Sequence, residues 1–427
     1  MTRRFIPADE SWVDDQGFGL ASPPYSPEAL GSERILEASS LAPWSAGNAD
    51  LLSSSADSFL YESSLVSVNL GRRVWGLRQP VYGHNDVVQG AVKLREKCTH
   101  VYRLEVSLLG RLEVTTSDRG MLSGVIDHNI VSSNVVLSCP PRGESSPTEE
   151  WLSFSVPFPS FVKGGTSPLP PSYSAWSPAF SAEIRYCVKV DIFRKGLRRH
   201  ELRFFPVMYL PKTWPSHPIP RRYSAFDLPS ALSTYKTVPL YPVWPDNARP
   251  VAKAKAATPT VQLCFPSGVT YSSGHSVPLR LTLHSRDAPA LARLLIQGVE
   301  VQLVRRIIAW TKCDPVVGGR DATISKGSLT ETDTSQEGLA VAYFDLTLGE
   351  AGKEQSWGVT NILEMVYLIR VSIRHPEGAV NFVPTYEHAE AWGTRERELH
   401  ELGNVSSPAI GMANARIEQR PVSSVAW

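Results

Sequence analysis

The stretch Ile184-Arg185-Tyr186-Cys187-Val188-Lys189-Val190-Asp191-Ile192 decides the fold class, because apolar and polar side chains alternate along its length. A period of two is typical of a β-strand with one buried face. The pattern predicts that the even-numbered side chains are buried and the odd-numbered ones exposed. A register shift of one residue would bury Lys189 and Asp191, so the hydrophobic pattern also specifies the register.

The sequence on either side of this stretch shows the same alternation of apolar and polar residues. A basic turn at Arg194–Arg199 leads into the apolar run Leu202–Val207, which predicts a hairpin that closes a first domain near Trp214. Alternating runs also precede it at Val88–Leu94 and Arg103–Leu108. The first half therefore reads as a set of antiparallel strands.

A second group of alternating runs follows after residue 260. Its apolar positions are Leu279, Leu281 and Leu283; Val299, Val301 and Leu303; Phe344, Leu346 and Leu348; and Tyr367, Ile369, Val371 and Ile373. Runs of this kind, bounded by turn residues, are typical of sandwiches. We predict an all-β protein with two tandem immunoglobulin-like β-sandwich domains.

Composition sets the predicted domain boundaries. Residues 1–57 are rich in Ser, Pro, Ala and Gly without periodicity, which predicts a disordered arm. The first sandwich is expected over 58–215, a Pro-rich linker over 216–260 and the second sandwich over 261–385. The tail 386–427 is expected to hold one short surface helix up to Leu402 and to be disordered beyond Gly403.

Charge and motif content restrict the function classes. Lys and Arg total 43 against 42 for Asp and Glu, so no global field attracts nucleic acid. The five cysteines are dispersed without a C-x-x-C pair, which predicts reduced thiols and no metal site. Without a signal sequence, a membrane span, a phosphate-binding loop or a dinucleotide motif, we expect a cytoplasmic non-enzyme that needs no cofactor.

Several motifs resemble a known family. Tyr82–Val92, Trp151–Phe158 and Leu169-Pro170-Pro171-Ser172-Tyr173, the last followed by Glu183–Val190, are similar to the N-terminal domain of arrestins. The likeness is strongest to fungal proteins related to α-arrestins. The second half resembles the arrestin C-terminal domain more loosely, through Val261–Pro266 and the strand from Val299 to Leu303.

The resemblance implies an adaptor in endocytosis or signal transduction that docks on the tails of membrane-protein cargo and recruits a HECT-type ubiquitin ligase. Peripheral contact with the plasma membrane or endosomes would accompany that role. The rival hypothesis is a structural scaffold or sorting-complex subunit of the same fold without ligase recruitment. A β-sandwich carbohydrate binder or enzyme is a further alternative. A shared fold does not establish a shared function, so each candidate site must be supported by its own residues.

Two segments match proline-tyrosine peptides that WW domains bind in a polyproline conformation. Pro170, Pro171 and Tyr173 satisfy P-P-x-Y but coincide with the family's structural loop, and we favour that structural role. Val383, Pro384 and Tyr386 fit the looser V-P-x-Y variant, for which an ordinary last strand is an equal explanation.

Basic residues cluster on the predicted hairpin. Arg194, Lys195, Arg198 and Arg199 are candidates for binding lipid phosphates or acidic cargo tails, although a solvated turn that protects a sheet edge is the favoured explanation. The pair Arg72-Arg73 superficially resembles the basic pair with which classical arrestins sense receptor phosphates, and here too a plain surface role is preferred.

Overall fold

The computed structural model describes the greater part of the chain after residue 57. The described residues are 58–95, 98, 100–118, 121–137, 151–177, 180–195, 200–213, 235–240, 260–266, 271–286, 289–310, 315–316, 321–373, 385–390 and 408–413. The predicted arm lies outside these residues, as do Val383, Pro384, Arg198 and Arg199.

Strands dominate the described part of the chain, which confirms the all-β prediction. In the first half they are β1 (Ser58–Glu62), β2 (Val66–Arg72), β3 (Val81–Tyr82), β4 (Val87–Leu94), β5 (Val101–Asp118), β6 (Met121–Leu137), β7 (Leu152–Pro157), β8 (Tyr173–Ser177), β9 (Phe180–Arg194) and β10 (Glu201–Tyr209). They form two sheets, one in the order β1-β2-β4-β7 and one in the order β3-β10-β9-β5-β6 with β8 also paired to β9. We call these two sheets the first sheet pair.

The two sheets of the first pair share one hydrophobic core. Val68 of β2 and Val92 of β4 belong to the same buried cluster as Leu108 of β5 and Val190 of β9. Such a core, filled by one face of each sheet, is the arrangement that alternating strands require.

The register predicted for β9 is confirmed on its inner face. Ile184, Tyr186, Val188, Val190 and Ile192 are all buried. The predicted exposure of the odd positions was wrong at Cys187 and Asp191, which are also buried. Central strands are flanked on both sides, so neighbouring side chains cover the small or short groups of the outer face as well.

The second half contains strands β11 (Tyr235–Leu240), β12 (Thr260–Pro266), β13 (Ser276–His284), β14 (Val299–Trp310), β15 (Pro315–Val316), β16 (Ala322–Lys326), β17 (Ser328–Asp333), β18 (Leu339–Thr347), β19 (Trp357–Val359), β20 (Leu363–Ile373) and β21 (Thr385–Glu390). One sheet has the order β11-β12-β13-β18-β17. The other has the order β15-β14-β20-β19, with β16 paired to β14 and β21 to β20. These sheets form the second sheet pair, which also shares one core.

The predicted apolar faces of the second half are nearly all buried. Leu279, Leu281 and Leu283 of β13 have no exposed surface, and Tyr367, Ile369, Val371 and Ile373 of β20 are buried beside them. Edge strand β17 differs, because all of its side chains are exposed on both faces. It overhangs the core and carries Glu331 and Asp333 at the open edge of its sheet.

Three segments depart from the sequence prediction. The predicted linker 216–260 contains β11, which pairs with β12; Pro239 is tolerated there because β11 is an edge strand. The predicted tail helix was wrong at 386–390, which pair with β20 as part of β21. The predicted disorder beyond Gly403 was wrong for the segment around Ala409, whose amide donates to the Leu210 carbonyl oxygen at 2.8 Å.

A short helix, α1 (Pro289–Gln297), was not predicted. Pro suits the first turn of a helix, and the Ala- and Leu-rich sequence that follows favours helical backbone. Ala292, Leu295 and Ile296 face the second core at helical spacing, and the Gly298 amide donates to the Leu295 carbonyl oxygen where the helix ends. No helix of the described residues is long and apolar enough to cross a membrane.

Charged groups join three strands of the second pair. Asp321, just before β16, accepts hydrogen bonds from Arg306 of β14 at 2.8 and 2.7 Å and from Arg370 of β20. The hydrogen bonds from Arg306 lower the pKa of Asp321 against the opposing effect of partial burial, with Arg370 adding to the shift.

We expect Asp321→Asn to lower the free energy of unfolding by roughly 1–2 kcal/mol at neutral pH, after discount for solvent screening. The folded-state pKa of Asp321 lies below its unfolded value, so this stabilisation is present above about pH 4 and is lost as the pH falls. Urea unfolding of both proteins at neutral and acidic pH measures it. The exposed Glu331→Gln is the control, and a difference that persisted undiminished at acidic pH would contradict the expectation.

Candidate interaction site

One sheet of the first pair, β3-β10-β9-β5-β6 with β8, has a row of residues from four adjacent strands on the side away from the core. Val136 of β6 lies opposite Glu105 of β5, which lies opposite Asp191 of β9, which lies opposite Leu202 of β10. Val136 is 51% exposed and Leu202 is 41% exposed. Direct cross-strand partners project from the same side of a sheet, so this row forms a continuous surface, which we call the outer face.

A second row of the outer face is apolar, and the row of Ser107, Lys189 and Phe204 separates it from the first. Leu109 lies opposite Cys187, which lies opposite Pro206. Burial raises the pKa of the Cys187 thiol far above its usual range, so this thiol stays protonated and acts as a small apolar side chain. Leu109 and Pro206 on either side of the thiol are half-buried, so they can contact the side chains of an extended peptide.

Ion pairs border this second row. Arg111 holds Asp127 in a two-pronged contact at 2.6 and 2.5 Å, and Arg185 lies 3.1 Å from Glu113. The hydrogen bond from Arg111 lowers the pKa of Asp127 and keeps it ionised. Because these charges are neutralised in place, the outer face carries little net field and its polar groups act mainly as a hydrogen-bonding rim.

The hairpin end of the outer face is organised around Asp191. Lys189 Nζ lies 3.0 Å from Asp191, and His200 Nε2 contacts the other carboxylate oxygen. The His200 ring stacks on Phe193 with centroids 4.5 Å apart. Asp191 is therefore buried as part of a polar network, which offsets the cost of removing a carboxylate from water.

The basic residues predicted for anion binding are not brought together among the described residues. Arg194 is mostly buried, with its guanidinium 3.7 Å from Glu201 and 3.6 Å from Cys98 Sγ. Lys195 is exposed, and its amide donates to the His100 carbonyl oxygen. Arg198 and Arg199 lie outside the described residues. As placed, Arg194 is occupied by its own carboxylate partner.

The proline loop, Leu169–Tyr173, is fixed from both sides. The Tyr186 hydroxyl donates to the Pro170 carbonyl oxygen at 2.6 Å. The Ser172 amide donates to the Tyr209 carbonyl oxygen at 2.7 Å, and the Tyr209 amide donates to Ser172 Oγ at 2.9 Å. Pro170 and Pro171 are buried. The loop as placed has a packing role, and its prolines offer no surface to a WW domain.

A cluster of aromatic rings packs around Tyr186 and Tyr209, the two residues that are hydrogen-bonded to the proline loop. Phe158 stacks on Tyr209 at 4.7 Å, meets Tyr186 edge-on at 5.7 Å and lies 5.5 Å from Tyr82. Burial raises the pKa of the Tyr186 phenol well above its usual range, with Tyr209 adding to the shift. The Tyr186 hydroxyl therefore stays protonated at every physiological pH and donates its hydrogen bond to the Pro170 carbonyl oxygen.

Tyr173 joins the two sheet pairs. Its ring meets Trp357 of β19 edge-on at 5.1 Å, and both side chains pack against both hydrophobic cores. Ser167 Oγ and Thr360 Oγ1 are 2.6 Å apart beside them. The proline loop thus contributes to the contact between the halves, together with Ala309, Val359 and Leu363, which belong to the first core. We call the Tyr173–Trp357 contact and its neighbours the junction.

A polar cluster lies behind the junction. Tyr367 donates to Glu354 Oε2 at 2.6 Å, and Arg305 approaches the same oxygen at 3.5 Å. Burial raises the pKa of the Tyr367 phenol, and Glu354 raises it further. The next residue, Gln355, donates to Thr213 of the first half at 3.2 Å. Polar as well as apolar contacts therefore fix the segment that leads to β19.

The second proline-tyrosine segment is only partly described. Val383 and Pro384 lie outside the described residues, whereas Tyr386 belongs to β21 and pairs with Val371. A strand-paired backbone lacks the free polyproline conformation that WW domains bind.

The junction residues Trp357 and Thr360 were not predicted from the sequence. Both lie in a short strand and turn without sustained alternation, so no periodic signal marked them. The sequence shows Trp357 as an aromatic residue among turn residues, but this pattern does not indicate which residue it contacts.

Neither the comparison with models of protein families nor the comparison with curated proteins gives a match for this chain.

Proposed function

We propose that this chain is an arrestin-like adaptor built from two immunoglobulin-like β-sandwiches that positions membrane-protein cargo and catalyses no reaction. The observation that supports this most is the proline loop. The residues that carry the arrestin resemblance, Leu169–Tyr173 and Tyr186, are bonded to each other, and Tyr173 packs against the second half. A motif that holds two sheet pairs together suits a rigid body with wide binding faces.

In this proposal the outer face binds cargo. An extended cytoplasmic tail would place apolar side chains near Val136, Leu202 and Leu109 while its backbone and polar groups meet the surrounding ion pairs. Because the strands beneath are rigid, little conformational entropy is lost by the adaptor on binding. The adaptor would act on the cytoplasmic side of the plasma membrane or of endosomes.

The second candidate is a scaffold or sorting-complex subunit of the same fold that recruits no ubiquitin ligase. Two observations favour it over a ligase-recruiting adaptor. Pro170 and Pro171 are buried, and Tyr386 is paired in a strand. Recruitment of a HECT-type ligase through either segment would require that segment to leave its sheet or core.

A pull-down with the full chain tests cargo binding. The probes are immobilised cytoplasmic tail peptides from membrane proteins of the same cell, together with isolated WW domains. We expect Val136→Asp with Leu202→Asp to reduce tail binding by about tenfold or more, because two carboxylates would enter an apolar contact. Leu329→Asp is the matched control, since Leu329 is 54% exposed but lies on β17.

The same pull-down separates the two candidates. If WW domains bind the wild type and Tyr386→Ala abolishes that binding, the ligase-recruiting adaptor is supported. Tail binding without WW binding supports the scaffold. Equal tail binding by the outer-face variant and by Leu329→Asp would refute the assignment of cargo to the outer face.

A further inference from the structure

The loop between β2 and β3 presents apolar side chains to solvent. Its sequence is Arg72-Arg73-Val74-Trp75-Gly76-Leu77-Arg78, which we call the arginine–tryptophan loop. Val74 is 63% exposed and Trp75 is 42% exposed. Single exposed apolar residues are common on protein surfaces. Two adjacent ones in a loop, one of them Trp, form an apolar point on the surface of the described part of the chain.

The loop is held at its base and exposed at Val74 and Trp75, its apolar tip. Gln79 and Pro80 are buried, and Leu77 packs on the small cluster of Met208, Leu210 and Ala409. Gly76 has φ +69°, and a Cβ there would meet no atom within 4 Å. Glycine adopts this left-handed backbone without the strain that other residues would meet, and the space beside it is open.

Positive charge flanks the apolar tip on both sides. Arg72, Arg73 and Arg78 are exposed, and no acidic residue lies between them in the sequence. No carboxylate of the described residues pairs with Arg72 or Arg73; Arg73 instead lies over the Phe59 ring at 5.2 Å. This differs from the outer face, where Arg111 and Arg185 are neutralised by neighbouring acids.

We propose that the arginine–tryptophan loop docks the protein on an anionic lipid bilayer, with Val74 and Trp75 entering the interface and Arg72 and Arg73 binding lipid phosphates. Trp prefers the boundary between headgroups and acyl chains, and guanidinium groups bind phosphate oxygens bidentately. Basic residues gain further attraction from the surface potential of anionic membranes.

The apolar tip favours a bilayer over a phosphorylated peptide as the partner. Phosphate groups on a peptide would need the arginines alone and would leave Val74 and Trp75 in water. A bilayer uses both parts of the loop, because its phosphates lie directly above an apolar layer. This binding goes beyond the proposed adaptor function and does not depend on it, since the cargo pull-down contains no lipid.

Co-sedimentation of the full chain with vesicles tests the proposal. We expect binding to vesicles of phosphatidylcholine mixed with phosphatidylserine, weaker binding to phosphatidylcholine alone, and loss of binding as salt is raised. Arg72→Gln with Arg73→Gln should weaken binding about 30-fold, from the attraction of each basic residue to an anionic surface. Arg286→Gln with Arg293→Gln removes the same charge from exposed positions in the second half and should leave most of the affinity.

The apolar contribution is measured separately. Trp75→Ser should weaken binding about tenfold and remove the vesicle-dependent blue shift of tryptophan fluorescence, whereas Trp176→Ser, at another exposed tryptophan, should change neither. Thermal melting in the absence of lipid checks that each variant is folded. If the arginine variant weakened vesicle binding and Trp75→Ser did not, the proposed insertion of Val74 and Trp75 would be refuted. Absence of vesicle binding, with or without arginine-dependent binding of a soluble phosphopeptide, would overturn the proposal as a whole.

Discussion

Tyr186→Ala is expected to lower the free energy of unfolding by about 3–5 kcal/mol, because it removes a large, fully buried side chain from the first core. The truncation would leave a cavity beside the stacked rings of Phe158 and Tyr209, both of which Tyr186 meets edge-on. It would also leave the Pro170 carbonyl oxygen without its hydrogen-bond donor. Urea or thermal unfolding of the purified chain measures the change.

Two variants divide this effect into its parts. Tyr186→Phe keeps the ring and removes only the hydroxyl, so we expect a smaller loss of about 1–3 kcal/mol from the unpaired Pro170 carbonyl group. Tyr102→Ala truncates an exposed tyrosine and should change stability by no more than about 0.5 kcal/mol. If Tyr186→Phe were as stable as the wild type, the bond to the proline loop would contribute nothing to the fold.

Trp357→Ala is expected to uncouple the two halves of the molecule. Trp357 is half-buried, packs against both cores and meets Tyr173 edge-on. Its truncation should cost about 2–3 kcal/mol and should separate one cooperative unfolding transition into two, because each sheet pair retains its own core. Differential scanning calorimetry distinguishes one transition from two.

The control for the junction is a double-mutant cycle. Tyr173→Ala combined with Trp357→Ala should cost less than the sum of the single changes, with a coupling energy of about 0.5–1.5 kcal/mol for the ring pair. Trp176→Ala, at an exposed tryptophan on the same strand as Tyr173, should leave the number of transitions unchanged. Strict additivity would show that the ring contact does not join the halves.

Much of the fold could be predicted from local pattern, and the failures have specific causes. The register of β9 was predictable because a one-residue shift would exchange its buried and exposed faces. The burial of Asp191 was not, since it depends on Lys189 and His200, and His200 reaches Asp191 only through hairpin pairing. The edge strand β11 was missed because the recurring prolines, Pro239 among them, argue against a helix interior or a central strand, whereas an edge strand tolerates them.

The candidate sites were less predictable than the fold. The proline loop was recognised as a motif, but its contacts with Tyr186 and with Trp357 join distant parts of the chain and leave no periodic trace. The arginine–tryptophan loop was noted only for Arg72 and Arg73. The significance of Val74 and Trp75 depends on their exposure in a loop, which alternation cannot reveal.

Edge strand β17 has a consequence for the association of two copies of this chain. The unpaired backbone N–H and C=O groups of an edge strand can pair with the same strand of a second copy and extend the sheet. An antiparallel partner related by a two-fold axis at Thr332 would set Glu331 of each copy against Asp333 of the other, and like charges in that position repel. The acidic edge therefore works against pairing of two copies through β17.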